Sequence, residues 1–182
     1  NELLLVVNDI LYISRLEANM EEYQREAVDF ASAFEGYCRN GLSTIKPGVQ
    51  SVIVQPYNRL VVDIDASHVS MIIQRLCNRS GIVTDSGSIT VSYEYHRGEL
   101  IILFEDTGKG FPEEVAAHVL DQHFARREDG GLIGSGLDLP IVQLLTKQMG
   151  GTIEIQSDYG KGTSAWVSIP CTASVIERKR EN

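Results

Sequence analysis

Residues 100–112, Leu-Ile-Ile-Leu-Phe-Glu-Asp-Thr-Gly-Lys-Gly-Phe-Pro, constrain this chain more tightly than any other stretch. The apolar run 100–104 has the length and continuity of a buried strand, and it delivers an acid, Asp106, at its end. Gly108 and Gly110 follow. Pro112 then opens a helix whose first turn carries Glu113 and Glu114, where proline and acids are favoured. An apolar strand fixes where the carboxylate sits, and glycines let backbone approach a flat ligand closely. The combination suits recognition of a base-like hydrogen-bond donor beside a nucleotide pocket. An ordinary strand–turn–helix with an Asp-Thr-Gly turn accounts for the same residues.

The remainder alternates helix and hairpin signals. Residues 2–18 read as a helix in which Leu3, Val6, Val7, Ile10, Ile13 and Leu16 recur at three- and four-residue steps, while Leu4, Leu5 and Leu11 widen the stripe. A helix this apolar calls for an outside partner in a helix bundle, or for packing back on the domain. After a polar connector at 19–26, residues 27–30 read as a short strand and 31–42 as a helix. The β-rich runs 49–55 and 60–64 flank Pro56-Tyr57-Asn58-Arg59, a hairpin-like signal. Asp65 is placed to cap a helix over 66–81. That helix turns Val69, Ile72, Ile73, Leu76 and Cys77 inward, and Arg75 and Arg79, four apart, share one face beside Asn78.

Residues 88–96 alternate as a strand and turn at Arg97-Gly98 into 100–104. Residues 126–136 (RREDGGLIGSG) are too polar and glycine-rich for core and read as a mobile loop. Residues 137–149 read as a helix, and 152–157 with 163–169 as the last hairpin. From Thr172 onward the chain reads as a frayed terminus or linker. Helices and hairpins alternating around one sheet predict an α/β (α+β) two-layer sandwich with helices on one face.

At 182 residues the chain is long enough for one full core. A formal charge of −9 argues against broad nucleic-acid or anionic-membrane binding, though not against a local positive pocket for phosphate. Cys38, Cys77 and Cys171 are odd in number and widely spaced, which suggests neither a disulfide framework nor a zinc site and favours a reducing compartment. No run approaches the roughly 18 apolar residues that span a bilayer. The chain begins with Asn1 rather than Met, which points to a fragment of something longer.

A second glycine cluster, Gly134-Ser135-Gly136-Leu137, opens a helix, where backbone N–H groups attract phosphate. Its pairing with the 106–112 box upstream and Gly160-Lys161-Gly162-Thr163 downstream resembles the ATP-binding catalytic domain of sensor histidine kinases. That domain lies within the larger ATPase superfamily that includes gyrase, HSP90 and MutL. DTGKGFP (106–112) resembles the first glycine box, GSGLDLPIV (134–142) the second, and GKGTSAWVSIP (160–170) the terminal hairpin. VNDILYISRLEA (7–18) resembles the end of the dimerisation and phosphoacceptor hairpin.

The resemblance implies a Bergerat-type mixed sheet with helices on one face, preceded by one long helix. The implied divisions are a helix end at 1–20, an ATP-binding domain at 21–171 and a tail at 172–182. Asp106 would accept the adenine amino group, and Gly108 and Gly110 would shape the base pocket. Gly134, Ser135, Gly136 and Leu137 would close a lid over the phosphates, with Phe124 ahead of it, and Thr163 would help hold the adenine. The implied ligands are ATP and Mg²⁺. The full-length protein would be a protein-histidine kinase, and this chain the cytoplasmic part of a membrane-bound sensor. It would be a homodimer through the N-terminal helix and act with a response regulator.

The departures are as informative. Arg75 and Arg79 stand where the family carries amides, Arg79 at the asparagine that ligates Mg²⁺; Ile82 replaces a lysine, and Asp138 replaces the third glycine of the second box. Arginine has only donors and cannot ligate a cation. Three readings follow: Arg75 or Arg79 neutralises phosphate directly, Asn78 takes the metal through a helix irregularity, or the domain is a pseudokinase acting as a dimerising scaffold. For the arginines themselves a solvated helix face is the plain alternative. His68, His96, His118 and His123 all lie off the N-terminal helix, so the phosphoacceptor is expected upstream of residue 1.

Overall fold

The computed structural model describes residues 1–120 and 137–181. Helix α1 (Glu2–Glu17) is followed by β1 (Glu26–Asp29), α2 (Phe30–Gly41), a 3₁₀ turn (Leu42–Thr44), β2 (Gln50–Ile53) and β3 (Tyr57–Ile64). Then come α3 (Ala66–Val83), β4 (Ser88–His96), β5 (Glu99–Asp106), a short α4 (Glu113–Ala116), α5 (Asp138–Gln148), β6 (Thr152–Asp158), β7 (Gly162–Pro170) and β8 (Ala173–Arg178).

The main sheet has the order β2-β4-β5-β7-β6 and is mixed: β2 lies parallel to β4, and the other pairs are antiparallel. Period-two alternation turns Ile89, Val91 and Tyr93, then Leu100, Ile102 and Phe104, then Ala165, Val167 and Ile169 to one face, where all are buried. Helices α3 and α5 cover that face with Ile72, Ile73, Leu76, Ile141, Val142 and Leu145. The two-layer arrangement with helices on one face is as expected. Asp65 fixes the start of α3: its Oδ1 accepts from the His68 N–H (3.0 Å) and its Oδ2 from the Gln24 N–H (2.9 Å).

Two expectations fail. The runs around 56–59 do not form a hairpin, because β2 belongs to the main sheet while β3 joins a second sheet of order β1-β3-β8. The corner between them is tied to both sheets. The Val54 N–H donates to Val91 O (2.8 Å), and two residues later Pro56 O accepts from the Lys179 N–H (2.9 Å). Pro56 has no N–H for either ladder, so pairing can stop there.

Nor is the segment beyond Thr172 frayed. Residues 173–178 form β8, paired antiparallel with β3 from Ala173↔Val62 to Arg178↔Tyr57, and Arg178 lies over the Tyr57 ring at 4.9 Å.

The apolar stripe of α1 divides. Its domain-facing side is Val6, Asp9, Tyr12, Ile13 and Leu16, whereas Leu3, Leu4, Leu5, Val7, Ile10 and Leu11 are 43–70% exposed. The packing-back alternative holds for the C-terminal half of the helix, and the outer face is exposed.

Candidate functional site

The site forms where β5 ends. The alternation that buries Leu100, Ile102 and Phe104 carries Asp106 to the same face, opposite Ile89 on β4 and Thr163 on β7. Asp106 is 7% exposed, and its carboxylate is held from two sides. Oδ2 accepts from the Ser80 hydroxyl of α3 (3.0 Å), and Oδ1 accepts from the Gly108 N–H (3.0 Å). The turn after it is locked to the end of α3 and to β6: the Lys109 N–H donates to Val83 O (3.3 Å) and the Phe111 N–H to Ser157 Oγ (2.7 Å).

Two positions in that turn require glycine. A Cβ on Gly108 would lie 2.7 Å from Val83 O and 2.9 Å from Asp106 Oδ1, and one on Gly110, at φ +67°, would lie 2.3 Å from Asp158 O. Thr163 is buried, its hydroxyl 3.0 Å from Ser157 Oγ.

From α3, Arg79 projects into the space beneath Asp106. It is 7% exposed, and its guanidinium carbon lies 4.3 Å from the centroid of the Phe111 ring. No hydrogen bond to this guanidinium is formed by the described residues. Burial pushes it down to about 10, against the opposing pull of Asp106 and then Asp138. Beside a larger space of about 460 Å³ that Asp106 lines with Gln156, Ser157, Asp158 and Thr163, the inner cavity between Leu76, Arg79 and Ser80 of α3 and Phe104, Asp106 and Thr163 of the sheet is about 10 Å³. That is room for one water at most, not for a purine.

Arg75, one turn earlier, has the opposite environment. Its Nη2 donates to Asp9 Oδ1 of α1 (2.9 Å) and its Nη1 to Asp138 Oδ1 at the start of α5 (2.6 Å), with a further contact to Asp9 Oδ2 (3.3 Å). Burial disfavours the charged form of Arg75, but Asp9 and then Asp138 outweigh it and its pKa is raised. Asp138 is also raised, first by burial, which its contact with Arg75 does not offset. The two directions agree physically: one guanidinium serves two carboxylates, and Asp9 also repels Asp138. Arg75 is thus a strut joining α1, α3 and α5 rather than a group facing Asp106.

Asn78 Oδ1 accepts from the Thr44 hydroxyl (2.9 Å), so the side chain turns to the 3₁₀ turn and not to the site. A divalent cation does not fit this arrangement. Among the described residues no group of three or more His, Cys, Asp or Glu could hold a metal ion. Both oxygens of Asp106 are engaged, and Arg79, which lines the same cavity from α3, is a cation with donors only. His68 lies in the first turn of α3 beside Asp65 (Nδ1 to Oδ2 3.2 Å), at the opposite end of the helix from Arg79.

The structure thus brings together Asp106, Gly108, Gly110, Thr163 and Arg79, and sends Arg75 and Asn78 elsewhere. Leu137 is buried at the start of α5, while Phe124, Gly134, Ser135 and Gly136 lie outside the described residues. Sequence reasoning passed over Asp9, Ser80 and Phe111 as individual contributors. Asp9 left a signal: an acid three residues after Val6 and four before Ile13, on the domain-facing stripe of α1, calls for a partly buried cation opposite it.

Residues 64–173 match the sequence pattern described as histidine kinase-, DNA gyrase B-, and HSP90-like ATPase. The histidine protein kinase DivJ of Caulobacter vibrioides is 31% identical over 92% of this chain and 29% of its own length. The aerobic respiration control sensor protein ArcB of Escherichia coli is 23% identical over 94% of this chain and 23% of its own length. The chain therefore spans less than a third of these curated relatives. Among solved structures, full-length ShkA in complex with AMPPNP superposes with a TM-score of 0.78 at 20% identity, over 99% of this chain and 37% of that one; at that identity the likeness is one of fold.

Proposed function

On the premise that the chain belongs to the histidine kinase-, DNA gyrase B- and HSP90-like ATPase family and is the ATP-binding domain of a two-component sensor kinase, we propose how its site engages nucleotide. Asp106 accepts the adenine amino group, the backbone at Gly108 and Gly110 forms the floor of the base pocket, and Thr163 closes its strand side. Gly134, Ser135, Gly136 and Leu137 cover the phosphates. The full-length protein delivers the γ-phosphate to a histidine upstream of residue 1, by positioning and charge neutralisation rather than through a nucleophile of this domain. It works as a cytoplasmic homodimer paired through the exposed face of α1, and passes the phosphate to a response regulator. The boundary at 20/21 remains part of this proposal, and the domain extends through β8 to Arg178.

The observation that carries the reading is Asp106 itself. It is a buried carboxylate at a strand end, restrained by Ser80 and Gly108 and aimed into the layer between sheet and helices. Calorimetric titration with ATP tests it. Asp106→Asn is expected to weaken binding by about 10- to 100-fold, as for loss of a charge-assisted hydrogen bond worth about 1.5–3 kcal/mol. An unchanged affinity would contradict the adenine assignment.

A second reading, a nucleotide-free interaction module, is favoured by one observation: the inner cavity that Arg79 lines with Ser80 and Asp106 is about 10 Å³. Absence of binding at millimolar ATP in both the parent chain and an Arg79→Asn variant would establish it.

A further inference from the structure

The disagreement between the site and a divalent cation has a consequence that rests on the nucleotide reading above. We propose that Arg79 is the specificity-determining residue of this site: it fills the base pocket while the site is unliganded, and it is drawn out by an entering nucleotide's phosphates, whose charge it neutralises in place of a metal ion.

Three observations carry this. First, Arg79 occupies the helix side of Asp106: its guanidinium lies on Phe111 at 4.3 Å and the cavity it lines with Ser80, Phe104, Asp106 and Thr163 is about 10 Å³, whereas the larger space of about 460 Å³ that Asp106 lines with Gln156, Ser157 and Asp158 opens on the strand side. Second, the plug is a poorly compensated cation. Arg79 is 93% buried (7% exposed), no hydrogen bond to it is formed by the described residues, and both oxygens of the neighbouring Asp106 already accept from Ser80 and Gly108. A largely buried guanidinium that forms no hydrogen bond with the described residues gains most from a ligand that brings several anionic oxygens in reach. Third, its neighbour Arg75 cannot take that role without breaking contacts to Asp9 and Asp138, and Asn78 is turned to Thr44. Arg79 is the one α3 cation aimed at the site.

The ligand class follows from this chemistry. A neutral nucleoside would have to expel Arg79 with nothing to offer it in return. An adenine nucleotide offers the base to Asp106 and its phosphate oxygens to the displaced guanidinium. Complexation of those phosphates by Mg²⁺ removes charge that Arg79 would otherwise meet, so the metal should not help.

The test is calorimetric titration of the chain, and of Arg79→Asn and Arg79→Met, with ATP and with adenosine, in EDTA and in excess Mg²⁺. The parent chain is expected to bind ATP at least as tightly in EDTA as in Mg²⁺ and at least tenfold more tightly than adenosine. Arg79→Asn, which empties the volume, should bind adenosine at least tenfold more tightly than the parent, and both variants should lose most of the ATP-over-adenosine preference in EDTA. Arg79→Met keeps an apolar filler of similar length, so a folding defect in one variant does not decide the outcome. A tenfold or greater gain from Mg²⁺ in the parent, or an unchanged ATP-to-adenosine ratio in the variants, overturns the proposal while leaving the nucleotide site intact. Failure of every form to bind either ligand overturns the nucleotide reading and the proposal together.

Discussion

The strand side and the helix side of this site are built on opposite terms. On the strand side, each polar group has a fixed partner: Asp106 with Ser80 and Gly108, Thr163 with Ser157, and the turn backbone with Val83 and Ser157. The helix side carries two arginines one turn apart on α3, with contrasting fates. Arg75 is gripped by two carboxylates and joins three helices. Arg79 is buried against an aromatic ring with its charge disfavoured. A satisfied polar group contributes to the fold; a poorly compensated one is kept at a cost, and such sites tend to be functional. Arg75 is the structural arginine of the pair, and Arg79 is the one that lines the cavity at Asp106.

Four measurements break or sharpen that contrast. The largest effect is expected from Arg75→Ala, which removes the guanidinium that bridges Asp9 and Asp138. Urea denaturation should register a loss of about 3 kcal/mol; a loss within about 0.5 kcal/mol would mean the strut is ornamental. Arg79→Met should act in the opposite direction. A depression to about 10 costs the charged form roughly 3 kcal/mol, and removing that charge should raise stability by about 2 kcal/mol, or about 4–8 °C in Tm. A destabilised Arg79→Met would show that the guanidinium is well compensated after all.

Asp9→Asn should cost less, about 1 kcal/mol, because an amide oxygen still accepts from Arg75 and repulsion of Asp138 is relieved. Hydrogen exchange in α1 should rise with it, since Asp9 is one of few polar ties between that helix and α3.

The smallest effect is a pH dependence. The folded-state pKa of Arg79 is depressed, so the cationic form is penalised wherever both states are protonated, and the penalty is relieved only as pH rises through about 10. The stability gap between Arg79→Met and the parent should therefore stay flat from about pH 6 to 9 and narrow above 10. A gap that changes between pH 6 and 9 would assign the effect to another group.

Much of the strand side was legible because it depends on local pattern. The alternation at 88–96, the Arg97-Gly98 turn and the run 100–104 dictate a hairpin ending on Asp106, and glycine at 108 and 110 is what close backbone approach demands. Its partners came from farther away. Ser80 reaches Asp106 from the far end of a helix whose own pattern announces only Val69, Ile72, Ile73 and Leu76.

The misses share a cause in long-range pairing. Pro56 signalled a turn, but not that the chain changes sheets there, since pairing of β2 with β4 and of β3 with β8 is decided by edges distant in sequence. Residues 173–178 alternate weakly, and the charged run after them resembles a solvated tail until β3 offers an unpaired edge. Arg75 and Arg79 are identical in residue type and nearly equivalent in helical phase. Only Asp9 and Asp138, 66 and 63 residues away from Arg75, distinguish them.

The most direct test of the account is the NMR resonance of the Arg79 side-chain Nε–H, assigned by its loss in Arg79→Met. Over the Phe111 ring it should be displaced by the ring current in the free chain. Addition of ATP in EDTA should shift it away from that position in proportion to saturation, while adenosine at equal concentration should shift it far less. A resonance that stays in place while ATP saturates the protein would mean that Arg79 neither blocks the base pocket nor meets the phosphates.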